Sequence, residues 1–583
     1  MTVSTYRVVP EASASGTAPH AEPNPTTLTW LARSPFIEDQ ALARAASPDY
    51  PRWLAHVRPA AGCTRPIRLS GTIETVVKTG DGADATYRWI STVDTATSMP
   101  DGVIYKPCGT RLASVCPSCS ARYKADAFHL VLAGLSGGDG IPATVAEHPA
   151  VFSTLTAPSF GEVHTRVVKR HFCADRRRCV CRPEPCHARR DMPRCPHGRR
   201  MACFRRHAEI DRRLGTPLCP DCYDYPTHVM WNYLSGELWR RTRIGIERHL
   251  RRTAKSRGVD PATVKLAYGK AAEMQRRAAV HFHIVIRLDG RDPAHPEEIL
   301  PPPEELDAED LAEAVEHAAR TTAFGTEPHP DQAEGWCIGW GAQVESKTIA
   351  MAGAGQISRA QVAAYVAKYA TKATEDTGHT SRRLTGETID VYADLDGNHT
   401  ERLIATSWQL GRPVHTSTRL GDRPTRTDPT GDVGPQWTCP DCACRTVLPH
   451  CPDCRQPAPW LTPTEPAPEP TRRGPSTFRG LRRWAHRFGF GGHFFTKSHR
   501  YTATFTYKRQ QRIAYRRNTA PATGPIDPDR PPSTQDTVLQ VNFLEFVGAG
   551  WHTAGDALLA NTSAALAREH QYAAQVEIAA MAA

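Results

Sequence analysis

Ala279-Val280-His281-Phe282-His283-Ile284-Val285-Ile286 has the composition of a β-strand. Side chains on a strand alternate between its two faces, so His281 and His283 share one face. Phe282, Ile284 and Ile286 then point to the opposite face and fill a core. Two imidazoles side by side on a rigid strand can chelate one divalent ion. With help from a carboxylate or an amide, they suit Mg²⁺ or Mn²⁺ in a phosphate-processing site.

A third ligand for this ion is expected just upstream of the histidines. If Arg276 to Ala278 form the turn of a hairpin, Glu273 lies across from His281 and is the first candidate. A slip of one residue in the strand register would favour Gln275 instead. The alternative for the whole pair is that both histidines are ordinary strand residues.

A second segment with chemistry-bearing residues, 358–372, has the composition of a helix, and Ser358 is suited to its N-cap. Tyr365 and Tyr369 are four residues apart and therefore share one face. Lys368 and Lys372 form a second pair beside them. Taken alone, the pattern favours an ordinary amphipathic helix with packed tyrosines. Together with the histidine pair it favours catalysis.

The chemistry of such a tyrosine is nucleophilic attack on a phosphodiester. A phenol has a pKa of about 10 and is a poor nucleophile while it is protonated. Nearby lysine charge and a metal on the phosphate would help it attack. The products would be a 5′-phosphotyrosine and a free 3′-hydroxyl that can prime a polymerase.

Eighteen cysteines, several of them in CxxC pairs, indicate structural zinc rather than disulfides. The strongest pattern is a zinc ribbon formed by Cys439, Cys442, Cys451 and Cys454, with Cys444 left over. A second site combines Cys108, Cys116 and Cys119 with Cys63, or with His129 as the alternative fourth ligand. A third site pairs the Cys219–Cys222 knuckle with Cys195 and Cys203, and His187, His197 and His207 are rival ligands.

Charge and composition indicate a nucleic-acid partner. The net charge is +11 and the isoelectric point is about 8.9, and arginine pairs recur between residues 176 and 252. The basic, aromatic segment 478–509 suits single-stranded DNA, or else forms the core of a small domain with basic edges. No apolar run is long enough to span a membrane and no signal peptide is evident, so a cytoplasmic protein without a membrane partner is expected.

The length of 583 residues predicts several domains. We predict a disordered tail at 1–28, an N-terminal region with a zinc knuckle at 29–147 and a nicking domain at 148–376. A Cys- and Arg-rich insert at 171–225 interrupts that domain. A connector at 377–438, the zinc ribbon at 439–456 and a linker at 457–475 follow. The basic and aromatic C-terminal region, 476–583, ends in a strand and an Ala-rich helix.

Three segments occur in the order seen in rolling-circle replication initiators of the HUH endonuclease superfamily. Phe152-Ser153-Thr154-Leu155-Thr156 resembles their first motif, His281-Phe282-His283 the second, and Tyr365-Val366-Ala367-Lys368-Tyr369 the third. The whole is similar to initiators of actinomycete plasmids and integrative elements over roughly residues 60–505. Gln275-Arg276-Arg277, Asp224-Tyr225, Trp231-Asn232 and the patch from Arg487 to Tyr501 share the likeness. Ala278 departs from it, because relatives often carry glycine there.

The resemblance implies an α+β fold in which an antiparallel HUH sheet carries the histidines on a central strand. The cysteine patterns add zinc modules before, within and after this nicking domain. The resemblance also implies a single-strand, site-specific DNA endonuclease and strand transferase that uses Mg²⁺ or Mn²⁺. A glutamate matches Tyr365 in single-tyrosine relatives, so Tyr369 is expected to attack first and Tyr365 second. The DNA-binding residues we expect are Arg276, Arg277, Arg487, Lys497 and Arg500.

The expected partners are single-stranded origin DNA, a host helicase and a polymerase. No GxxxxGK[ST] motif occurs, so a built-in helicase is not expected. Two alternatives remain at this point. One is a tyrosine transposase or relaxase with the same chemistry. The other is a zinc-ribbon DNA-binding regulator whose histidines and tyrosines are structural.

Overall fold

The computed structural model describes residues 32–79, 86–168, 183–191, 193–349, 358–371, 383–412, 437–438, 445–446, 477–519 and 536–582. The predicted tail at 1–28, the cysteines of the predicted ribbon at 439–456, the linker at 457–475 and Lys372 lie outside them. The chain divides into two compact units. Residues 1–148, 350–372 and 497–583 form the first, and residues 149–349 and 373–496 form the second.

The elements are numbered in chain order. The strands are β1 (Ile67–Thr79), β2 (Thr86–Asp94), β3 (Ile104–Lys106), β4 (Ala150–Thr156), β5 (Val264–Met274), β6 (Val280–Gly290), β7 (Ala323–Gly325), β8 (Cys337–Gly339), β9 (Val344–Thr348), β10 (Trp437–Thr438), β11 (Arg445–Thr446), β12 (Phe495–Lys497) and β13 (Asp536–Ala549). The helices are α1 (Ile37–Ala45), α2 (Tyr50–Val57), α3 (Thr95–Ser98), α4 (Pro117–Ser136), α5 (Tyr225–Ser256), α6 (Ala308–Thr321), α7 (Arg359–Ala370), α8 (His399–Leu410), α9 (Gly480–Arg483), α10 (Phe505–Thr519) and α11 (Ala554–Ala582).

The first unit joins distant parts of the chain through an antiparallel sheet in the order β13-β1-β2, with β3 also paired to β1. β1 pairs with β13 from Ile67 opposite Ala549 to Thr79 opposite Asp536. A small core containing Trp53, Val57 and Ala560 lies beside this sheet. The predicted C-terminal strand and Ala-rich helix are confirmed as β13 and α11.

The second unit contains a five-stranded sheet in the order β12-β5-β6-β4-β9. The neighbouring pairs β5–β6, β4–β6 and β4–β9 are antiparallel, so the prediction of an α+β protein with antiparallel sheets is confirmed. β6 is the middle strand. Its Phe282, Ile284 and Ile286 are at most 1% exposed and share one core with side chains of α5 and α6.

The helix α5 begins where the sequence supplies a cap and a proline. The carboxylate of Asp224 accepts a hydrogen bond from the Thr227 N–H, and Pro226 occupies the first turn, where its missing N–H is not needed. Trp231 on α5 is buried and donates its indole N–H to the Gly339 carbonyl. In the described part of the chain, no helix is both long and apolar enough to span a bilayer.

Candidate active site

His281 and His283 lie at the centre of the sheet in the second unit. On β4, Thr156 is opposite His281 and Thr154 is opposite His283, and the centroids of the two imidazole rings are 4.5 Å apart. The Thr154 hydroxyl lies 3.3 Å from His283 Nδ1. The strand alternation therefore places both imidazoles on one face, as the sequence pattern predicts.

Each candidate for the third ligand contacts a different histidine. Glu273 is opposite His281 in the strand register, and its Oε2 lies 3.0 Å from His283 Nε2. Gln275 Nε2 lies 3.2 Å from His281 Nδ1. Two ligand atoms about 2.1 Å from one ion in octahedral geometry are about 3.0 Å apart, so the His283–Glu273 pair fits a shared ion.

The three side chains His281, His283 and Glu273 do not converge fully on one point. They are absent from the groups, within the described residues, whose ligand atoms all lie within 4.8 Å of one another. Burial, and next the neighbouring imidazole of His283, lower the pKa of His281 to about 3. The His281 ring is therefore neutral at physiological pH and keeps a lone pair for a ligand.

The hairpin that joins β5 to β6 turns at Gln275 to Ala278. The Ala278 N–H donates to the Gln275 carbonyl and the Gln275 N–H donates to the Ala279 carbonyl. Ala278 has a φ of 66°, in the left-handed region that favours glycine. Glycine would adopt this conformation without the steric cost that the Ala278 Cβ imposes.

Asn232 on α5 clamps the inner end of this hairpin. Its side-chain amide donates to the carbonyls of Ala278 and Phe488, at 2.9 and 3.1 Å, and accepts from the Val280 N–H at 2.9 Å. Asn232 is fully buried. All three bonds go to backbone groups, so the side chain fixes where the hairpin leaves its turn and where β6 begins.

A histidine from α8 supports the same turn. His399 Nε2 lies 3.0 Å from the Arg277 carbonyl, so that ring nitrogen donates, and His399 Nδ1 lies 3.3 Å from the Tyr225 hydroxyl. Burial lowers the pKa of His399 to about 4. We did not identify His399 from the sequence, because the only local signal there is the Asn398 cap of α8, which indicates a helix start and nothing about the hairpin.

The two arginines at the hairpin tip have different roles. Arg277 is half-buried and donates to the carbonyls of Ala157 and Pro158 and to the side-chain oxygen of Gln275. It therefore positions the turn. Arg276 is exposed, and its side chain makes no hydrogen bond to the other described residues. Its guanidinium is therefore available to bind a phosphate.

The tyrosine helix α7 belongs to the first unit. Ser358 caps it with a capping box to Gln361, as the sequence predicts. The Tyr365 and Tyr369 rings lie 4.6 Å apart, and Tyr365 is 41% exposed. The opposite face is buried against α4 and contains Val362, Ala363, Val366, Ala367 and Ala370.

One lysine of the predicted pair is described beside these tyrosines. Lys368 is exposed, and its Nζ lies 5.6 Å from the centroid of the Tyr369 ring. Lys368 therefore places a positive charge beside the Tyr369 ring. Lys372 lies outside the described residues.

Within the described residues, three clusters of cysteine and histidine are able to hold a metal ion such as zinc. The first contains Cys63, Cys108, Cys116 and Cys119 in the first unit, which is the set that the sequence predicts, with Cys63 rather than His129 as the fourth ligand. The other two are in the second unit. One contains His164, Cys186, Cys203 and His207, and the other contains Cys195, His197, Cys219 and Cys222.

The predicted grouping of Cys203 with Cys195, Cys219 and Cys222 is corrected by these clusters. His197 lies beside the knuckle instead, with its Nδ1 3.2 Å from Cys222 Sγ. Cys203 is held elsewhere because its backbone exchanges two hydrogen bonds with His187, next to Cys186, which is in the same cluster.

The His164 cluster, defined as His164, Cys186, Cys203 and His207, also has an oriented outer partner. His207 Nε2 lies 3.5 Å from Cys203 Sγ, while His207 Nδ1 lies 2.7 Å from Asp211 Oδ2. A carboxylate on the far nitrogen fixes the ring of a metal-binding histidine and raises its basicity. The donor set, two thiols and two imidazoles, is one that suits zinc.

The basic, aromatic segment at 478–509 differs from the stacking surface that we considered for it. Five of its aromatic rings are at most 4% exposed, namely Phe478, Phe488, Phe490, Phe494 and Tyr501. They fill cores, so they cannot stack on bases without unfolding. The alternative, a core with basic edges, describes this segment correctly.

The three basic residues predicted to bind DNA in this segment are partly buried. The Arg487 guanidinium lies 4.6 Å from the centroid of the Phe494 ring, and Lys497 Nζ lies near the carbonyls of Ser498 and His499. The three guanidinium nitrogens of Arg500 are buried, with no hydrogen-bond partner in the described part of the structure. A phosphate would satisfy such a group.

Comparison with known proteins shows to which family the chain belongs. The family model described as RepSA, replication initiator protein, pSAM2, matches residues 49–565. The chain is also similar to a replication initiator protein from Streptomyces ambofaciens, at 33% identity over 546 residues that cover 93% of each chain. No solved structure matches the chain.

Proposed function

Since this chain belongs to the family of pSAM2-type RepSA replication initiator proteins, we propose that it starts rolling-circle replication by nicking one DNA strand at an origin. The observation that carries the proposal is the pair of histidines on the central strand, with a carboxylate 3.0 Å from one of them. The exposed Tyr365 and the half-buried Tyr369 on α7, with Lys368 beside Tyr369, supply the nucleophiles.

His281, His283 and Glu273 are the residues that would hold Mg²⁺ or Mn²⁺. Gln275 orients His281 instead, because its side-chain nitrogen faces His281 Nδ1 while its oxygen accepts from Arg277. The ion supplies Lewis-acid polarisation of the scissile phosphate when it is bound. Histidine and carboxylate are donors that Mn²⁺ accepts, and the neutral state of His281 leaves its ring able to bind. Thr154 beside His283 Nδ1 orients that ring.

The reaction is a transesterification at phosphorus. The phenolate oxygen of Tyr369 bonds to phosphorus, the bond from phosphorus to the 3′ oxygen breaks, and the leaving oxygen takes a proton. Lys368 favours the phenolate by its charge. Tyr365, on the same face, attacks a second phosphodiester at the end of the cycle and displaces its 3′ oxygen. That 3′ hydroxyl then attacks the phosphotyrosine at Tyr369, which joins the first strand and frees the Tyr369 oxygen.

The partner is single-stranded origin DNA, with a host polymerase extending the 3′-hydroxyl. The sequence has no phosphate-binding GxxxxGK[ST] motif, so a host helicase supplies the unwinding. The three Cys/His clusters hold structural zinc.

The test uses single-stranded origin fragments incubated with purified protein and Mn²⁺ or Mg²⁺. A label at the 3′ end reports the covalent adduct on a denaturing gel, and a label at the 5′ end reports the fragment with the free 3′-hydroxyl. The variants are Tyr365→Phe, Tyr369→Phe and their double, with Tyr507→Phe, an exposed tyrosine of the same unit, as the matched control.

We expect an adduct that requires the metal, persists in Tyr507→Phe and disappears in the double variant. His281→Ala should abolish the adduct and leave DNA binding in place. If no origin fragment gives an adduct while DNA binding persists, the chain is a DNA-binding protein without this chemistry, and the nicking proposal is wrong.

A further inference from the structure

A cleft of about 780 Å³ opens at the end of β4 in the second unit. One wall is the loop from Ser159 to Val167, and the opposite wall is the hairpin tip from Gln275 to Arg277. Residues 341–343 form part of its floor. Its volume is in the range of pockets that enclose a ligand of a few linked rings.

This cleft is continuous with the histidine pair. Gln275 lines the cleft, and its side-chain nitrogen lies 3.2 Å from His281 Nδ1. Thr156 also lines it and is the β4 residue opposite His281. A strand of DNA that occupies the cleft therefore runs past the atoms that would hold the catalytic metal.

The His164 cluster shapes the wall opposite the hairpin. His164 is both a ligand of that cluster and a lining residue of the cleft, and the Thr165 N–H lies 3.1 Å from Cys186 Sγ. His164 also exchanges backbone hydrogen bonds with Gly215 and Thr216. A metal ion in the cluster would thus hold the loop at a fixed distance from the hairpin.

A glycine makes the contact between this wall and the hairpin. A Cβ placed on Gly215 would lie 2.4 Å from the carbonyl carbon of Arg276, which is backbone and cannot move aside. Gly215 also has a φ of 86°. The metal cluster and the catalytic hairpin are therefore packed as one body across the base of the cleft.

The side chains that line the cleft suit a ligand that carries phosphate groups. Arg166 and Arg276 are exposed on opposite walls, and Arg277 lies at the base. Of the two glutamates that line it, Glu162 lies within 3.5 Å of Arg189 and His187, so its charge is already compensated. Guanidinium groups bind phosphates and stack on unpaired bases, and the side chains of Thr165 and Gln343 can bond base edges.

We propose that this cleft holds a short stretch of single-stranded DNA next to the nicked bond, with the His164 cluster setting its width. The inference rests on the nicking function proposed above and adds the site where the strand is gripped. It assigns to the cluster a role in strand binding as well as in folding.

The test measures binding separately from nicking. Full-length, zinc-loaded protein is titrated against a fluorescent single-stranded oligonucleotide without added Mg²⁺ or Mn²⁺, and anisotropy gives the affinity at several salt concentrations. The variants are Arg166→Ala and Arg276→Ala. The matched control is Arg320→Ala, which removes the same charge from the exposed helix α6 of the same unit.

We expect each cleft variant to weaken binding about fivefold or more, and to reduce the slope of log affinity against log salt by about 0.7 for each lost phosphate contact. Arg320→Ala should change neither quantity measurably. A Cys186→Ser variant should lose one zinc and bind the strand as weakly as the arginine variants, whereas Cys119→Ser should lose one zinc and keep strand affinity.

The two proposals fail in different ways. If the cleft variants bind as tightly as Arg320→Ala, the cleft is not the strand site, whether or not wild-type protein forms an adduct. If the wild type forms no adduct but the cleft variants lose affinity, the nicking function is wrong and the cleft remains a strand-binding site. The arginine variants test the strand site even if a cysteine variant fails to fold. A folded Cys186→Ser protein that lacks one zinc and keeps wild-type affinity would overturn the role given to the His164 cluster.

Discussion

Replacing Asn232 with leucine should destabilise the second unit by about 4 kcal/mol. Leucine has a similar size but removes the side-chain hydrogen bonds to three buried backbone groups: the carbonyls of Ala278 and Phe488 and the N–H of Val280. At about 2 kcal/mol for each group, the loss is about 6 kcal/mol. Burial of the leucine side chain offsets about 2 kcal/mol of this.

The assay is a thermal melt in buffer with zinc, since about 2 °C accompanies each kcal/mol in a unit of this size. The expected decrease is therefore about 8 °C. Asn232→Asp keeps the shape but turns the donating nitrogen into an oxygen facing two carbonyls, so it should be at least as destabilising. Ser235→Ala is the matched control on the same helix, because its hydroxyl bonds only the Asn232 carbonyl.

The control should lose no more than about 1 kcal/mol. The reasoning is refuted if Asn232→Leu melts within 2 °C of the control. Such a result would mean that the hairpin is not held by this amide. Adduct formation adds a second readout, because a hairpin released from α5 misplaces Gln275 and Glu273 relative to the histidines.

Three further outcomes are expected. In elemental analysis, Cys195→Ser and Cys203→Ser should each lose one zinc, and the double variant should lose two, since the residues lie in different clusters. A double variant that loses only one zinc would support a shared site. Burial lowers the pKa of His399 to about 4, so between that pH and about 6.5 the unfolded chain binds a proton that the native state does not. The free energy of unfolding therefore decreases as the pH falls through this window, by up to about 1.4 kcal/mol per pH unit. His399→Gln should reduce this pH dependence of stability in melts between pH 7.5 and 5. An unchanged pH dependence would contradict a lowered pKa at His399. Arg500→Met should stabilise the fold by about 1–3 kcal/mol, because it removes a buried guanidinium that has no hydrogen-bond partner among the described residues. The melting temperature should therefore rise while DNA binding weakens; a lower melting temperature would show that the guanidinium is paired.

The sequence predicts the strand and helix at the site because both depend on local patterns. On β6 the alternation leaves one register that buries Phe282, Ile284 and Ile286, and that register sets Glu273 opposite His281. On α7 the cap at Ser358 sets the helix start, and the spacing of four then places both tyrosines on one face. In both elements, the face on which the functional side chains lie is set by residues only a few positions away in the sequence.

The partition of the zinc ligands could not be predicted in the same way. A CxxC knuckle fixes two ligands, but the other two come from whichever loop the backbone brings near. His164 joins Cys203 and Cys186 because the chain at Val163 pairs with Pro217 and the chain at His187 pairs with Cys203. Neither pairing has a periodic sequence signal, since each is an isolated bridge.

The aromatic residues near 478–501 show a related difficulty. A composition of arginine and phenylalanine fits an exposed stacking surface and a core with basic edges equally well. Only the packing decides, because the same ring can stack on a base or fill a core. Phe488 is fully buried, and its carbonyl accepts a hydrogen bond from Asn232. The segment thus helps to position the amide that bonds the hairpin.

The turn at Ala278 shows how much of the site depends on distant support. A Cβ in the left-handed region costs about 1 kcal/mol or more, and glycine would avoid this cost. The conformation persists because Asn232 and His399, from two different helices, bond the carbonyls of Ala278 and Arg277. Since the same turn contacts Gly215 and carries Gln275 toward His281, its position couples the metal cluster to the histidine pair. A sequence reveals the turn, but the clamp that holds it comes from residues about 45 and 120 positions away, and only the fold brings them together.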